Sequence, residues 1–274
     1  LKQLLKSILV RLLGRGHAES LRALLRHSAI HKQRPLVCEP TGGTVLVLAP
    51  HMDDEVLGCG GTIARHVHAG ADVSIIFLTD GRRGGAAHDG QSESQREQAR
   101  TELVATRKAE ARRAATVLGV RHIHFLDAED GRLRADARVT GELQALLERD
   151  RPHIVYLPHF LENHADHGAA SDVLMAASAG AGAFNDMECR GYEVWTPLFP
   201  NIVVEIDSTM EVKKRALQCY GSQLALMDYL HTASGLNAYR SSAVGCKTAR
   251  FVEAFYALPL SDYRRLHGSL RRFL

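Results

Sequence analysis

The chain has 274 residues, of which 45% are apolar, 24% charged and 6% aromatic, a balance that excludes disordered, collagen-like and coiled-coil classes. The formal net charge is +3, but residues 1–35 carry +7 and the remainder −4. The basic character therefore belongs to the N-terminus and gives no ground for a nucleic-acid-binding body. Five scattered cysteines without CxxC spacing suggest neither a disulfide framework nor a thiolate zinc site, and fit a reducing, cytoplasmic setting.

In chain order, residues 1–35 read as a basic amphipathic helical extension, with Leu1, Leu4, Leu5, Ile8 and Leu12, then Leu21, Leu24 and Leu25, on one face. Such a stripe packs on the body or on a second copy of the chain, or lies as a peripheral anchor on an anionic membrane face. Its aliphatic runs are too short for a signal-peptide core or a membrane span. Residues 36–274 read as one domain. Short apolar runs at 45–49, 73–78, 123–126 and 154–157 predict buried strands, and the stretches 56–69, 92–118 and 141–149 between them predict helices. That alternation predicts an α/β fold, a Rossmann-like three-layer sandwich with a mostly parallel sheet. Residues 192–207, broken by Pro197 and Pro200, predict an edge hairpin or a cap; a helix over 210–230 and a strand over 251–258 follow.

Two polar clusters stand directly after predicted strands: His51-Met52-Asp53-Asp54-Glu55 after 45–49, and His159 with Glu162, His164, Asp166 and His167 after 154–157. Ligands bind beyond the carboxyl ends of strands in open parallel sheets, so both clusters can face one crevice. Imidazole with carboxylate is the ligand set of a hydrolytic zinc, and three protein ligands leave a position for water. The glycines at 58, 60 and 61 invite a dinucleotide-binding reading, but their spacing departs from GxGxxG and the preceding acids would repel a pyrophosphate. They read instead as allowing close packing of helix on sheet. Arg82 and Arg83 read as a solvated pair, with binding of a phosphate-bearing substrate as the other option. Tyr192, Trp195 and Phe199 are core residues or a sugar-stacking surface.

The two clusters resemble the motifs His-Pro-Asp-Asp-Glu and His-x-Asp-His of the LmbE-like or PIG-L family of zinc-dependent N-acetylglucosaminyl deacetylases, seen here as residues 51–55 and 164–167. Further ordered matches include Thr79-Asp80-Gly81, Arg107 with Glu110, Asp130-Gly131 and Ser222-Gln223, and extend over most of 44–257. Met52 replaces the family's proline and removes no functional group. The resemblance implies that His51, Asp54 and His167 hold the metal, zinc or alternatively ferrous iron or cobalt, and that Asp53 is the general base acting on a metal-activated water. It further implies that His164 stabilises the intermediate or protonates the departing amine, and that Asp166 orients a histidine from behind. Arg107 and Asp127 match positions that contact the sugar.

The expected activity is removal of the N-acetyl group from an N-acetylglucosamine-type amino sugar, as a small molecule or a lipid-linked conjugate, with no nucleic-acid partner. Residues 1–35 would supply peripheral membrane contact or a homo-oligomer interface. The alternatives are deacylation of a non-sugar N-acyl compound and a non-catalytic sugar- or nucleotide-binding module. The second has no use for a general base at Asp53.

Overall fold

The computed structural model describes residues 34–85, 92–180, 184, 186–244 and 249–270; the expected amphipathic extension over 1–35 falls almost wholly outside them. Eight strands form one sheet: β1 (Leu36–Val37), β2 (Thr44–Ala49), β3 (Asp72–Thr79), β4 (His122–Ala128), β5 (Ile154–Pro158), β6 (Glu188–Tyr192), β7 (Ile202–Glu205) and β8 (Val252–Pro259). Their spatial order is β1-β7-β8-β6-β5-β2-β3-β4. Every pairing is parallel except those of β8 with β6 and β7.

The helices are α1 (Asp54–His68), α2 (Glu93–Leu118), α3 (Ala137–Asp150), α4 (Ala165–Ala177), α5 (Met210–Gln218), the single turn α6 (Gly221–Leu224), α7 (Tyr229–Val244) and α8 (Leu260–Leu270). The alternation of side chains along β2 sorts them into two layers. Val45, Val47 and Ala49 pack with Ile63 of α1, Ala114 of α2 and Leu217 of α5. Leu46 and Leu48 pack on the other face with Leu143 of α3 and Leu174 of α4. This is the expected three-layer sandwich. Among the described residues no helix is long and apolar enough to cross a membrane.

The connections out of β2 and β5 run in opposite directions across the sheet, β2 towards β3 and β4, β5 towards β6. These two strands are neighbours, so the crevice beyond their carboxyl ends is the topological switch point where such folds bind ligands. Both polar clusters lie there.

Two sequence expectations are corrected. Residues 192–207 form neither an edge hairpin nor a cap: β8 inserts between β6 and β7 and pairs with both. Asn201 fixes that arrangement through its side chain, donating to the Ala257 carbonyl at 2.7 Å and accepting the Ala257 N–H at 2.7 Å. The helix expected over 210–230 stops at Gln218. The backbone leaves the helix at Tyr220 (φ −87°, ψ 56°), and its fully buried side chain turns inward.

Tight packing explains the glycines of α1. A Cβ on Gly58 would lie 2.2 Å from the Tyr192 ring, and one on Gly61 2.8 Å from Ile206. The helix is kinked at Cys59 (φ −147°, ψ 21°), and the Gly61 and Thr62 N–H groups freed there donate to the Glu253 carboxylate on β8 at 3.0 and 2.7 Å. Lys213 completes this buried pair, with Nζ 2.6 Å from Glu253 Oε1 and 2.8 Å from the Leu57 carbonyl.

Candidate metal centre

The loop leaving β2 is short and heavily restrained. The Pro50 carbonyl accepts from Thr79 N–H and Oγ1, and α1 begins at Asp54. Asp53 takes a positive φ of 141°, a left-handed conformation that is strained for a residue bearing a Cβ. That twist sends the neighbouring carboxylates in different directions. Asp54 Oδ2 accepts the His51 N–H at 2.8 Å and lies 3.2 Å from His51 Nδ1 and 3.3 Å from His167 Nε2. Asp53 instead meets Arg107, whose Nη2 is 3.3 Å from Asp53 Oδ1 and 2.7 Å from the Met52 carbonyl.

The second cluster opens α4. His164 is the N-cap, and its Nδ1 accepts the Asp166 N–H at 3.2 Å, which leaves the imidazole hydrogen on Nε2. The His164 ring is 4.8 Å from both His51 and His167, centroid to centroid. Asp166 Oδ2 lies 3.1 Å from His51 Nε2, and its two oxygens accept the Gly131 and Leu133 N–H groups at 2.7 and 3.0 Å. His51 Nε2 is also 3.3 Å from Asp130 Oδ1. The first turn of α4 and the loop after β4 thus meet His51 at Nε2, the ring nitrogen away from Asp54.

The donor set fits a divalent ion. Metal–ligand distances of about 2.0–2.2 Å put the corners of a tetrahedral site about 3.3–3.6 Å apart, close to the spacing of Asp54 Oδ2 from the two imidazole nitrogens. Ring nitrogens of His51, His164 and His167 lie within 4.8 Å of one another. His167 is fully buried, and neither of its nitrogens has a hydrogen-bond partner of good geometry, an arrangement that costs stability unless something else occupies them. Charge argues the same way. Burial lowers the pKa of His51, but Asp130, Asp166 and Asp54 outweigh it and hold the ring well above the ordinary histidine value. Burial likewise opposes protonation of His167, yet Asp54 lifts it to about 9. The carboxylates thus draw positive charge into the crevice, a demand that a divalent cation satisfies as protons do.

Asp53 is different in kind. Burial pushes its carboxyl up to about 7, with Arg107 opposing and Asp54 adding to the rise. Its N–H donates to Glu55 Oε2 at 3.1 Å, and Glu55 Oε1 accepts a short hydrogen bond from the Tyr220 hydroxyl. Glu55 is itself fully buried. The break in the expected helix over 210–230 is therefore what aims Tyr220 at the strained turn.

The structure brings His51, Asp53, Asp54, His164, Asp166, His167 and Arg107 together, with Arg107 buried against Asp53 and only 2% exposed. It does not bring in Asp127, whose carboxylate is half exposed and pairs with Lys108 at 2.6 Å. The carboxylate that reaches the crevice from this loop is Asp130. Glu162, a member of the second polar cluster, is buried and accepts the N–H groups of Val194, Trp195 and Thr196, with Oε2 3.7 Å from His167 Nδ1. Tyr192 is core, donating to the Leu48 carbonyl, whereas Trp195 and Phe199 are 46% and 67% exposed. Sequence reasoning placed Glu55 in the acidic cluster at the crevice and Asp130 among the family matches without a role for either side chain, and it missed Tyr220. Only the glycine after Asp130, which takes φ +78°, could have marked the sharp turn there.

A switch-point crevice lined by buried imidazoles and carboxylates defines a doubly wound α/β protein with a candidate metal centre. Residues 46–178 match the family described as PIG-L: GlcNAc-PI de-N-acetylase. Diacetylchitobiose deacetylase of Thermococcus kodakarensis is 33% identical over 195 residues, 65% of this chain and 69% of that protein, and the chain belongs to this family of metal-dependent deacetylases. The 4-oxalmesaconate hydratase of Pseudomonas putida is 27% identical over 76% of this chain and 84% of its own length. The chain spans 54% of the length of further relatives, 1D-myo-inositol 2-acetamido-2-deoxy-alpha-D-glucopyranoside deacetylases of Mycobacterium species. Among solved structures, N,N'-diacetylchitobiose deacetylase from Pyrococcus horikoshii superposes with a TM-score of 0.65 at 24% identity, covering 88% of this chain and 92% of that one, a likeness of fold.

Proposed function

We propose that the protein is a metal-dependent N-deacetylase that releases acetate from an N-acetylglucosamine-type amino sugar. The observation that carries this reading is the convergence of His51, Asp54 and His167 beside a second buried carboxylate, Asp53, that makes no contact with their shared oxygen. The family's deacetylases of acetylated amino sugars support the substrate class.

His51, Asp54 and His167 would hold the ion; the mixed nitrogen and oxygen donors suit zinc and also admit ferrous iron or cobalt. When bound, the ion supplies Lewis-acid polarisation of the amide carbonyl and a lowered pKa for water. Asp53 accepts the proton of the attacking water, with a pKa near neutrality suited to a general base at physiological pH. Arg107 and Glu55 fix the Asp53 carboxylate and backbone for that transfer. The Nε2–H of His164 donates a hydrogen bond to the carbonyl oxygen as it gains charge, and Asp53 passes the proton taken from water to the departing amine. Asp166 and Asp130 grip His51 Nε2 and so leave Nδ1 free to act as the ligand atom.

In this reading residues 36–274 are the deacetylase domain, and 1–35 are an extension that docks on an anionic membrane face or a second copy of the chain. The test is acetate release from N-acetylglucosaminides by metal-replete protein. Turnover that chelation abolishes and added zinc restores is the expected result. Metal-replete protein that releases no acetate from any sugar amide, but hydrates an unsaturated dicarboxylic acid as the hydratase relative's name suggests, would overturn it.

A further inference from the structure

The corner where α5 gives way to α6 carries three polar side chains, from Tyr220, Ser222 and Gln223, that bear on Asp53 through different partners. The Tyr220 hydroxyl donates to Glu55 Oε1, and Glu55 Oε2 accepts the Asp53 N–H at 3.1 Å. Ser222 binds Glu110 twice, through its N–H at 2.8 Å and its hydroxyl at 2.6 Å. Glu110 stands three residues beyond Arg107 on α2, so the two buried side chains share one face of that helix. Gln223 Nε2 donates to the Gly84 carbonyl at 2.9 Å and to Ser222 Oγ at 3.1 Å.

Gly84 closes the turn after β3, with its N–H on the Gly81 carbonyl at 3.2 Å, and Arg107 lies against that turn. Its Nη1 donates to the Gly81 carbonyl at 3.1 Å. A Cβ on Gly81 or Gly84 would come within 2.9 or 2.3 Å of the same nitrogen, so the guanidinium is seated where only glycine leaves room. Its Nη2 then meets Asp53. Gln223 therefore acts on the Asp53 carboxylate through Gly84 and Arg107, while Tyr220 acts on the Asp53 backbone through Glu55. Tyr220, Gln223, Glu55, Glu110 and Arg107 are all buried, so water does not readily replace a contact that is lost.

We propose that the corner from Tyr220 to Gln223 is the positioning element for the general base, one arm fixing the twist of Asp53 and the other its carboxylate. The role of Asp53 rests on the deacetylase reading; the assignment of Tyr220, Ser222 and Gln223 as positioning residues goes beyond it. Asp53 at φ 141° occupies a conformation that persists only where its surroundings over-determine it. Anchoring both arms in one four-residue segment, itself tied to α2 through Glu110, keeps backbone and carboxylate in step. The carboxylate then stays within hydrogen-bond reach of the water it deprotonates, and a displacement of about 1 Å there can cost on the order of 10²-fold in rate.

The test uses the metal-replete full chain with Tyr220→Phe, which keeps the ring and removes the hydroxyl, and Gln223→Met, which keeps the bulk and removes the donor. Each is made with Asp53 intact and with Asp53→Asn, and thermal unfolding and metal content are read beside acetate release from methyl N-acetylglucosaminide. With Asp53 intact, each substitution should lower kcat about tenfold or more and leave KM and bound metal unchanged. In the Asp53→Asn background the same substitutions should change the residual rate less than about twofold, because the group they position is gone. Equal losses in both backgrounds, or full activity in both single variants, would overturn the proposal. Amide exchange gives a reading that needs no turnover: the Asp53 N–H should exchange about tenfold faster in Tyr220→Phe, and unchanged exchange would overturn the Tyr220 arm. Faster exchange in a chain that releases no acetate would uphold the positioning of Asp53 and count against the deacetylase reading alone.

Discussion

Two buried charge clusters flank α1, and they differ in what they leave unsatisfied. On the β8 side, Lys213 and Glu253 are each 1% exposed and complete: one cation, one anion, and four hydrogen bonds to N–H groups, a carbonyl and each other. On the crevice side, Asp53, Asp54, Asp130 and Asp166 crowd His51 and His167, and the nitrogens of His167 find no partner of good geometry. Burial alone therefore does not mark a functional group. A saturated, neutral cluster holds the kinked helix in place, whereas an unsaturated one with excess negative charge is built for a ligand that brings positive charge.

The sharpest way to break this comparison is to remove charge from each cluster. Asp53→Asn should keep the bound metal and lower kcat on the order of 10³-fold, as expected for a lost general base; equal turnover in the mutant would put the base elsewhere. Glu253→Gln should do the opposite. It leaves Lys213 buried without its counter-ion and should cost about 3–5 kcal/mol in denaturant unfolding, with metal content per folded molecule unchanged. Loss of metal without loss of stability would show that the two clusters are one site.

Smaller effects follow from pH. Arg107 holds down the Asp53 pKa against burial, so Arg107→Met should raise it and move the acid limb of the kcat/KM profile to higher pH. Arg107→Lys should move it less, and an unmoved limb in both would mean that Asp53 does not set it. His66, buried between the Thr41 carbonyl and the Tyr156 hydroxyl at 2.9 and 3.0 Å, has its pKa lowered by burial to about 4. The folded state thus binds fewer protons than the unfolded chain between about pH 4 and the ordinary histidine value of about 6.5. The stability from neutral His66 is complete above that value and is lost as pH falls towards 4. His66→Gln should flatten the fall in Tm between pH 7 and 5; an unchanged slope would assign the pH dependence to other groups.

The strands, the sandwich and the switch-point crevice were legible because β2 and β5 are short apolar runs that end in acid- and imidazole-rich loops. What could not be read was the direction of side chains in irregular backbone. Asp127 and Asp130 are equally acidic in sequence, and only the turn at Gly131 aims Asp130 at His51. Arg107 was legible as important but not as buried, because the partner it meets, Asp53, depends on a φ of 141° that no periodicity encodes. Likewise β8 sits between β6 and β7 through pairing across about 50 to 70 residues, information that local patterning around two prolines does not carry.

The claim on which the rest depends is that the unsatisfied cluster holds one divalent ion. It is tested most directly by elemental analysis of the purified chain beside His167→Ala, with thermal unfolding to show that both are folded. About one ion per wild-type chain, and close to none in folded His167→Ala, is the result expected. A wild type that takes up no metal on reconstitution, or a variant that keeps its full complement, would contradict it.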